Sequence, residues 1–332
     1  MTVGRSAGIT DTGRKRRRNE DAYVVQPPIF AVADGMGGAQ AGEVASKLAA
    51  AALEDTDQGT LRGEDGVVAL IQEANRRVYE RSNEDPSASG MGTTMTVALV
   101  EAGRVVIGHV GDSRAYLARD GRLEQLTEDH SLVNELMKSG KLSPEEAEMH
   151  PQRSVITRAL GTDPDVDVDR FTIDAEPGDI FLLCSDGLTS MVGDEAILDV
   201  LERYRDDLDR VAKALVQAAN RGGGEDNITV VAFEIAAGGA DAEETIRMPA
   251  QDGSPDDEDT LDGLDAVPAV DTMVVPAEKV RELQQAHQAR PAEERELSPE
   301  EAVNRHARVR LAATMIVLLV VAAVLVAWGL LR

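Results

Sequence analysis

The chain has a single cysteine, Cys184, in 332 residues. That excludes an intramolecular disulfide framework and any zinc site built from several thiolates. It is also short of bases. Lys and Arg number 34 against 60 Asp and Glu, a formal net charge of −26. A phosphate backbone repels such a surface, so no nucleic-acid partner is expected. The first residues, MTVGRSAGITDTG, hold no apolar run, so no secretory signal peptide is expected and the cytosol is the default compartment. Gly222-Gly223-Gly224 is not followed by the Lys-Ser/Thr pair of a phosphate loop and reads as a flexible connector.

What is present falls into three zones. Residues 1–237 alternate apolar runs with turn signals and are long enough to bury a substantial core. Residues 238–297 are rich in Ala, Pro, Gly and acids, with PDDEDTLDGLD at their centre. That composition buries too little to order itself, so an acidic disordered linker is expected. Residues 298–332 read as a helix whose stretch 311–331, LAATMIVLLVVAAVLVAWGLL, is apolar except for Thr314. At a helical rise of about 1.5 Å per residue this stretch spans roughly 30 Å, a bilayer core, so a single-pass C-terminal membrane anchor is expected. Arg305, Arg308 and Arg310 precede the span and Arg332 alone follows it. The positive-inside rule then places residues 1–237 on the cytoplasmic face of the cell membrane. Ser298-Pro299-Glu300-Glu301 has the form of a helix-starting capping box.

Within the first zone, strands are expected at 29–34, 93–100, 104–111, 114–119, 179–185 and 227–235, all short and rich in β-branched residues. Asp120-Gly121 is a hairpin turn signal. Helical patterns occupy 41–55, 66–82, 131–139 and 207–220, and Ser143-Pro144-Glu145-Glu146 starts another short helix. Strands that follow one another without helices imply antiparallel sheets, and long helices before and after must cover them. The expected class is α+β, an αββα four-layer sandwich.

Acids stand where strands end. Asp34-Gly35 closes IFAVA, Asp186-Gly187 closes FLLCS, Asp226 opens NITVVAFEI and Asn19-Glu20-Asp21 precedes AYVV. Carboxylates gathered at one mouth repel unless a cation neutralises them, and an oxygen-only site suits Mg²⁺ or Mn²⁺. Each Asp-Gly taken singly is an ordinary turn; the shared strand-end position of several is what points to a site.

The segments TDTGRKRRRNEDAY (10–23), VADGMGG (32–38), SGMGTTMTVALV (89–100), GHVGDSRAYLARDG (108–121), LTEDHS (126–131), RSVITRALG (153–161), CSDGL (184–188) and EDNITVV (225–231) resemble, in family order, the PP2C (PPM) metal-dependent protein serine/threonine phosphatases. The resemblance implies an αββα sandwich with two Mn²⁺ or Mg²⁺ ions, and in many bacterial members a third, in the cleft between the sheets. It assigns metal binding to Asp21, Asp34, Gly35 through its carbonyl, Asp186 and Asp226. Glu20 acts through water, and Asp112 binds the third ion with Asp186. Catalysis falls to Arg16, as phosphate clamp, and to Asp34, as the carboxylate shared by both ions. The implied reaction is hydrolysis of phosphoserine and phosphothreonine by a metal-bridged water, with phosphoproteins and opposing Ser/Thr kinases as partners. A catalytically silent phosphoprotein binder and a Ca²⁺-stabilised adhesion module are the alternatives. The first is disfavoured by the complete ligand set, the second by the cytoplasmic orientation.

Some residues depart from that pattern or compete with it. Met36 stands where some members carry a His proposed as general acid, which leaves the proton donor unassigned. His109, in an apolar strand, reads as a core residue, while His130 and His150 are weaker neighbours of the site. Cys184 lacks the Arg of the C-x5-R pattern that a cysteine phosphatase needs, since Ser190 stands at that position, and it reads as a buried strand thiol. Arg14, Lys15, Arg17 and Arg18 read as solvated bases around Arg16 that steer phosphate. Residues 138–165 match the family's variable flap.

Overall fold

The computed structural model describes residues 1–37, 41–56, 61–237 and 273–274. The chain divides after Val280 into two units, and all the described residues belong to the first. In chain order the elements begin with β1 (Thr2–Asp11), β2 (Asp21–Gln26), β3 (Ile29–Met36), α1 (Ala41–Glu54) and α2 (Gly63–Glu84). A run of strands follows: β4 (Gly92–Thr93), β5 (Met95–Glu101), β6 (Arg104–Val110), β7 (Arg114–Arg119) and β8 (Arg122–Gln125). Then come α3 (Leu132–Lys138), α4 (Pro144–Glu148), β9 (Val155–Ile156), β10 (Asp169–Asp174), β11 (Ile180–Cys184), α5 (Asp186–Thr189), α6 (Asp194–Arg203), α7 (Leu208–Gly222) and β12 (Ile228–Ala236).

Two antiparallel sheets result, ordered β1-β12-β11-β7-β8 and β10-β6-β5-β3-β2. Both faces of the central strands are buried, because alternate side chains serve different layers. In β3, Phe30 and Val32 join Phe181, Val231 and Phe233 between the sheets. Ile29, Ala31 and Ala33 of the same strand face α1 and α2. Across the other sheet, Val230 and Ala232 of β12 pack on α6 and α7. Phe233 is the hinge of the inner layer, stacked 4.1 Å from Phe30 and 5.2 Å from Phe181. The four layers expected from the sequence are the layers observed.

Local signals hold as well. Ser143 forms a full capping box with Glu146, with Pro144 in the first turn. Asp120 and Gly121 both take positive φ, 51° and 68°, as a type I′ hairpin turn requires. Seven elements were not anticipated: β1, β2, β8, β9, β10, α5 and α6. β1 carries Gly4 and Gly8 and β10 alternates only partly buried side chains, so neither shows the dense apolar run that marks a strand. The glycine triplet is not a passive connector. Gly223 and Gly224 take φ of 145° and 57°, and the Gly224 carbonyl accepts from both Arg14 N and Lys15 N.

Among the described residues no helix is long and apolar enough to cross a membrane. The expected anchor, 298–332 with its span 311–331, lies outside the described residues, as does most of the expected linker. Within 238–297, Met273 and Val274 pair in parallel with Val155 and Ile156 of β9. That short pairing departs from a linker disordered throughout, and it falls where Met-Val-Val interrupts the acids.

Candidate active site

One end of the sandwich collects the acids. Asp21 opens β2 and stands directly opposite Asp34 near the end of β3. Asp186 follows β11, Asp226 precedes β12, and Asp112 lies in the turn between β6 and β7. Antiparallel pairing of Cys184 with both Arg114 and Val230 brings the last three to the same edge. The five expected carboxylates are therefore brought together from both sheets.

Their environment is costly for charge. Burial, and then Asp21, Asp186, Asp226 and Asp112 in that order, hold the Asp34 carboxyl well above its ordinary range. Burial followed by Asp112, Asp226 and Asp21 does the same to Asp186. Asp112 is pushed up to about 7, chiefly by burial, with Asp129 adding and Arg114 opposing. Asp21 is pushed up to about 6 by burial, against hydroxyl donors from Thr229 at 2.6 Å and Ser185 at 2.8 Å. Such a group of acids is stable at neutral pH only with protons or cations between them.

The backbone is fixed at each ligand position. Thr94 Oγ1 accepts from Asp34 N at 2.9 Å, and Thr94 N and Thr93 Oγ1 both donate to Asp34 O. Thr94 Oγ1 also meets Ser113 Oγ at 2.8 Å, beside Asp112. Gly35 N donates to Glu20 O. A Cβ on Gly35 would sit 2.1 Å from Gly42 O, so α1 can approach this strand only over glycine. The Glu20 carboxyl group lies against Gly42 from the other side, 3.0 Å from where its Cβ would be.

Arg16 is the cation of the site. Its Nη2 donates to Asp226 Oδ2 at 2.8 Å. The loop that carries it, between β1 and β2, is tied down by Asn227. That side chain donates to Thr12 O and Arg18 O and accepts from Glu20 N, at 3.0, 2.9 and 2.7 Å. Asn227, Ser185, Thr229 and Thr94 are the residues that sequence reasoning missed. All four lie inside the quoted motifs, but a neutral side chain that positions a ligand has no charge pattern to announce it.

Among the described residues no three His, Cys, Asp or Glu groups already form a closed ion cage. Asp226 is turned to Arg16, and Asp21 to its two hydroxyls. The donor set nevertheless fits a hard divalent ion. Asp21 Oδ1, Asp112 Oδ1 and Asp186 Oδ1 are buried without a hydrogen-bond partner, an arrangement that folded proteins avoid unless something completes it. All the candidate donors are oxygens, as Mg²⁺ and Mn²⁺ prefer. Other candidates fall away. Burial pushes the Cys184 thiol up to about 12, so it is no nucleophile. His109 is fully buried between Thr96 and the Glu128 carbonyl. His130 turns to Asp169, at 3.1 Å, and His150 Nδ1 accepts from Gln152 N within the flap.

Residues 13–221 match the family described as protein phosphatase 2C. The chain belongs to that family. It is 44% identical over 236 residues to the serine/threonine phosphatase stp of Listeria welshimeri, covering 68% of this chain and 93% of that one. To the serine/threonine protein phosphatase PstP of Mycobacterium tuberculosis it is 42% identical over 235 residues, covering 70% of this chain and 45% of PstP. A crystal structure of the PstP catalytic domain in complex with two manganese ions superposes with a TM-score of 0.65 at 39% identity, over 71% of this chain and 100% of that one. The protein phosphatase 2C match spans Arg16, Asp21, Asp34, Asp112, Asp186 and residues 138–165, and ends inside α7, before Asp226.

Proposed function

We propose that this phosphatase 2C member hydrolyses phosphoserine and phosphothreonine in proteins at a divalent-metal site held by Asp21, Asp34, Asp186, Asp226, the Gly35 carbonyl and, for a third ion, Asp112. Glu20 would act through water. The three buried, unpartnered carboxylate oxygens at one strand-end mouth carry this reading. Mn²⁺ or Mg²⁺ bound there would neutralise the acids and activate a water for attack on phosphorus. The chain's own residues do the rest. Arg16 presents a planar fork that matches phosphate oxygens, and Asp226 holds that fork in place until phosphate arrives. Ser185 and Thr229 keep Asp21 oriented, and Thr94 does so for Asp34. Met36, buried against Ile156 and Ala159, has no proton to give, and water is the donor proposed for the leaving alkoxide.

The same proposal places the domain on the cytoplasmic face of the cell membrane, anchored by 311–331 and opposing Ser/Thr kinases. The apolar run and the three preceding arginines support it. The deciding experiment is phosphate release from a phosphothreonine peptide by the full-length protein. Turnover that vanishes with EDTA and returns with Mn²⁺ is expected. Turnover indifferent to chelation would sink the metal site, and no turnover under any metal would favour a silent phosphoprotein binder.

A further inference from the structure

We propose that Arg14, Lys15 and Arg17 form a recognition rim for acidic residues flanking the phosphorylated side chain, so that this phosphatase selects phosphosites set in acidic sequence. The inference rests on the phosphatase reading above and concerns its substrate class. Residues 14–18 are all bases in a domain that otherwise runs strongly acidic; residues 1–235 hold 42 acids and 25 bases. The positive run therefore stands against its background, and it surrounds the one arginine turned into the site.

Geometry separates the two roles. The Arg16 side chain is 18% exposed and points to Asp226, while Arg14, Lys15 and Arg17 on either side are exposed. Among the described residues those three make no side-chain hydrogen bond or ion pair. The other well-placed arginines of the domain are committed, Arg114 to Asp129, Arg119 to Asp179 and Arg158 to Asp169. Nearby acids are mostly engaged too. Asp11 Oδ1 accepts from Gly13 N and Asn220 Nδ2, and Asp226 holds Arg16. Glu225 is the exposed acid left beside the rim.

The loop is not a floppy charged tail. Asn227 pins it at Thr12, Arg18 and Glu20. Gly224 O holds Arg14 N and Lys15 N at 2.8 and 3.2 Å. Gly13, at φ 76°, turns the chain where a Cβ would lie 2.2 Å from Asp226 O. The cations therefore leave a fixed backbone next to the phosphate clamp. An extended peptide advances about 3.3 Å per residue, so side chains within three positions of a phosphate at Arg16 lie within roughly 10 Å of it. That is about one Debye length at moderate salt, close enough for carboxylates there to be attracted.

The test uses full-length protein with Mn²⁺ and three phosphothreonine peptides that differ only in flanking Glu, Gln or Lys. Several exposed ion pairs together should raise kcat/KM for the Glu peptide about tenfold over the Gln peptide, mostly through KM. The Lys peptide should fall below the Gln peptide, and added KCl should compress the ranking. In R14Q/K15Q/R17Q, checked for folding by circular dichroism, the Glu-to-Gln ratio should drop to about one or two. Equal kcat/KM for the three peptides on the wild-type protein, or a preference that the triple variant keeps, overturns the rim. Mn²⁺-dependent turnover of the Gln peptide would then still stand for the phosphatase reading. No turnover of any peptide overturns both.

Discussion

Asp21 and Asp34 face each other across the β2–β3 ladder, and burial followed by the Asp21 charge raises the affinity of Asp34 for a proton. Two adjacent strands of one sheet thus put carboxylates side by side at a buried position, an arrangement costly to folding and useful only to a site that binds cations.

Asp34→Asn should separate those two consequences. The amide keeps the shape and removes the charge, so turnover with Mn²⁺ should fall on the order of a hundredfold or more. In EDTA the same variant should melt no lower than the wild type, because a repulsion has been removed. Phosphate release and thermal melts check both halves. A well-folded Asp34→Asn with full activity would remove Asp34 from the site.

Asn227→Ala tests how the phosphate loop is held. Asn227 is 4% exposed, and truncation strands the Thr12 and Arg18 carbonyls and the Glu20 N–H together. The expected cost is about 2–4 kcal/mol in denaturant titration, with KM for phosphopeptide raised because Arg16 loses its station. Unchanged stability and KM would mean that Gly224 alone fixes the loop.

Much of this was legible in the chain because charged ligands at strand ends carry their own signal. Asp34, Asp186 and Asp226 are each set beside a dense apolar run, and α1, α2 and α7 show clean helical spacing. The less visible parts have a common physical cause. β1 and β10 are only partly buried strands of weak periodicity. The role of Asn227 depends on three backbone groups distant in sequence, which no local pattern encodes. The glycine triplet read as slack because the carbonyl it presents to Arg14 and Lys15 is a tertiary feature.

For the tail, full-length protein should sediment with membranes and resist a high-salt wash, since 21 almost wholly apolar residues are held by the bilayer core rather than by charge. A chain ending at residue 240 should remain in the supernatant and keep its kcat on small phosphopeptides. Release of the full-length protein by salt alone would show peripheral attachment. Loss of peptide turnover on truncation would show that residues beyond 240 belong to the catalytic fold.

The last prediction concerns pH and His109. This ring is fully buried, its Nε2 3.1 Å from the Glu128 carbonyl and its Nδ1 2.9 Å from Thr96 Oγ1. Burial, and then the neighbouring His130, push it down to about 3. The folded protein therefore refuses a proton that the unfolded chain accepts at about 6.5. The stability His109 contributes is full above that value. It is lost progressively as pH falls towards about 3, by up to about 1.4 kcal/mol per pH unit. Asp21 and Asp112, raised rather than lowered, push the metal-free protein the opposite way over part of this range, so wild-type data alone would mislead. The comparison with His109→Gln cancels them, because both proteins carry the same acids. Between pH 7.5 and 5 the wild type should lose about 2 kcal/mol relative to the variant in urea titrations with EDTA. A constant difference across that range would mean that His109 is protonated in the folded state and that its burial does not set its charge.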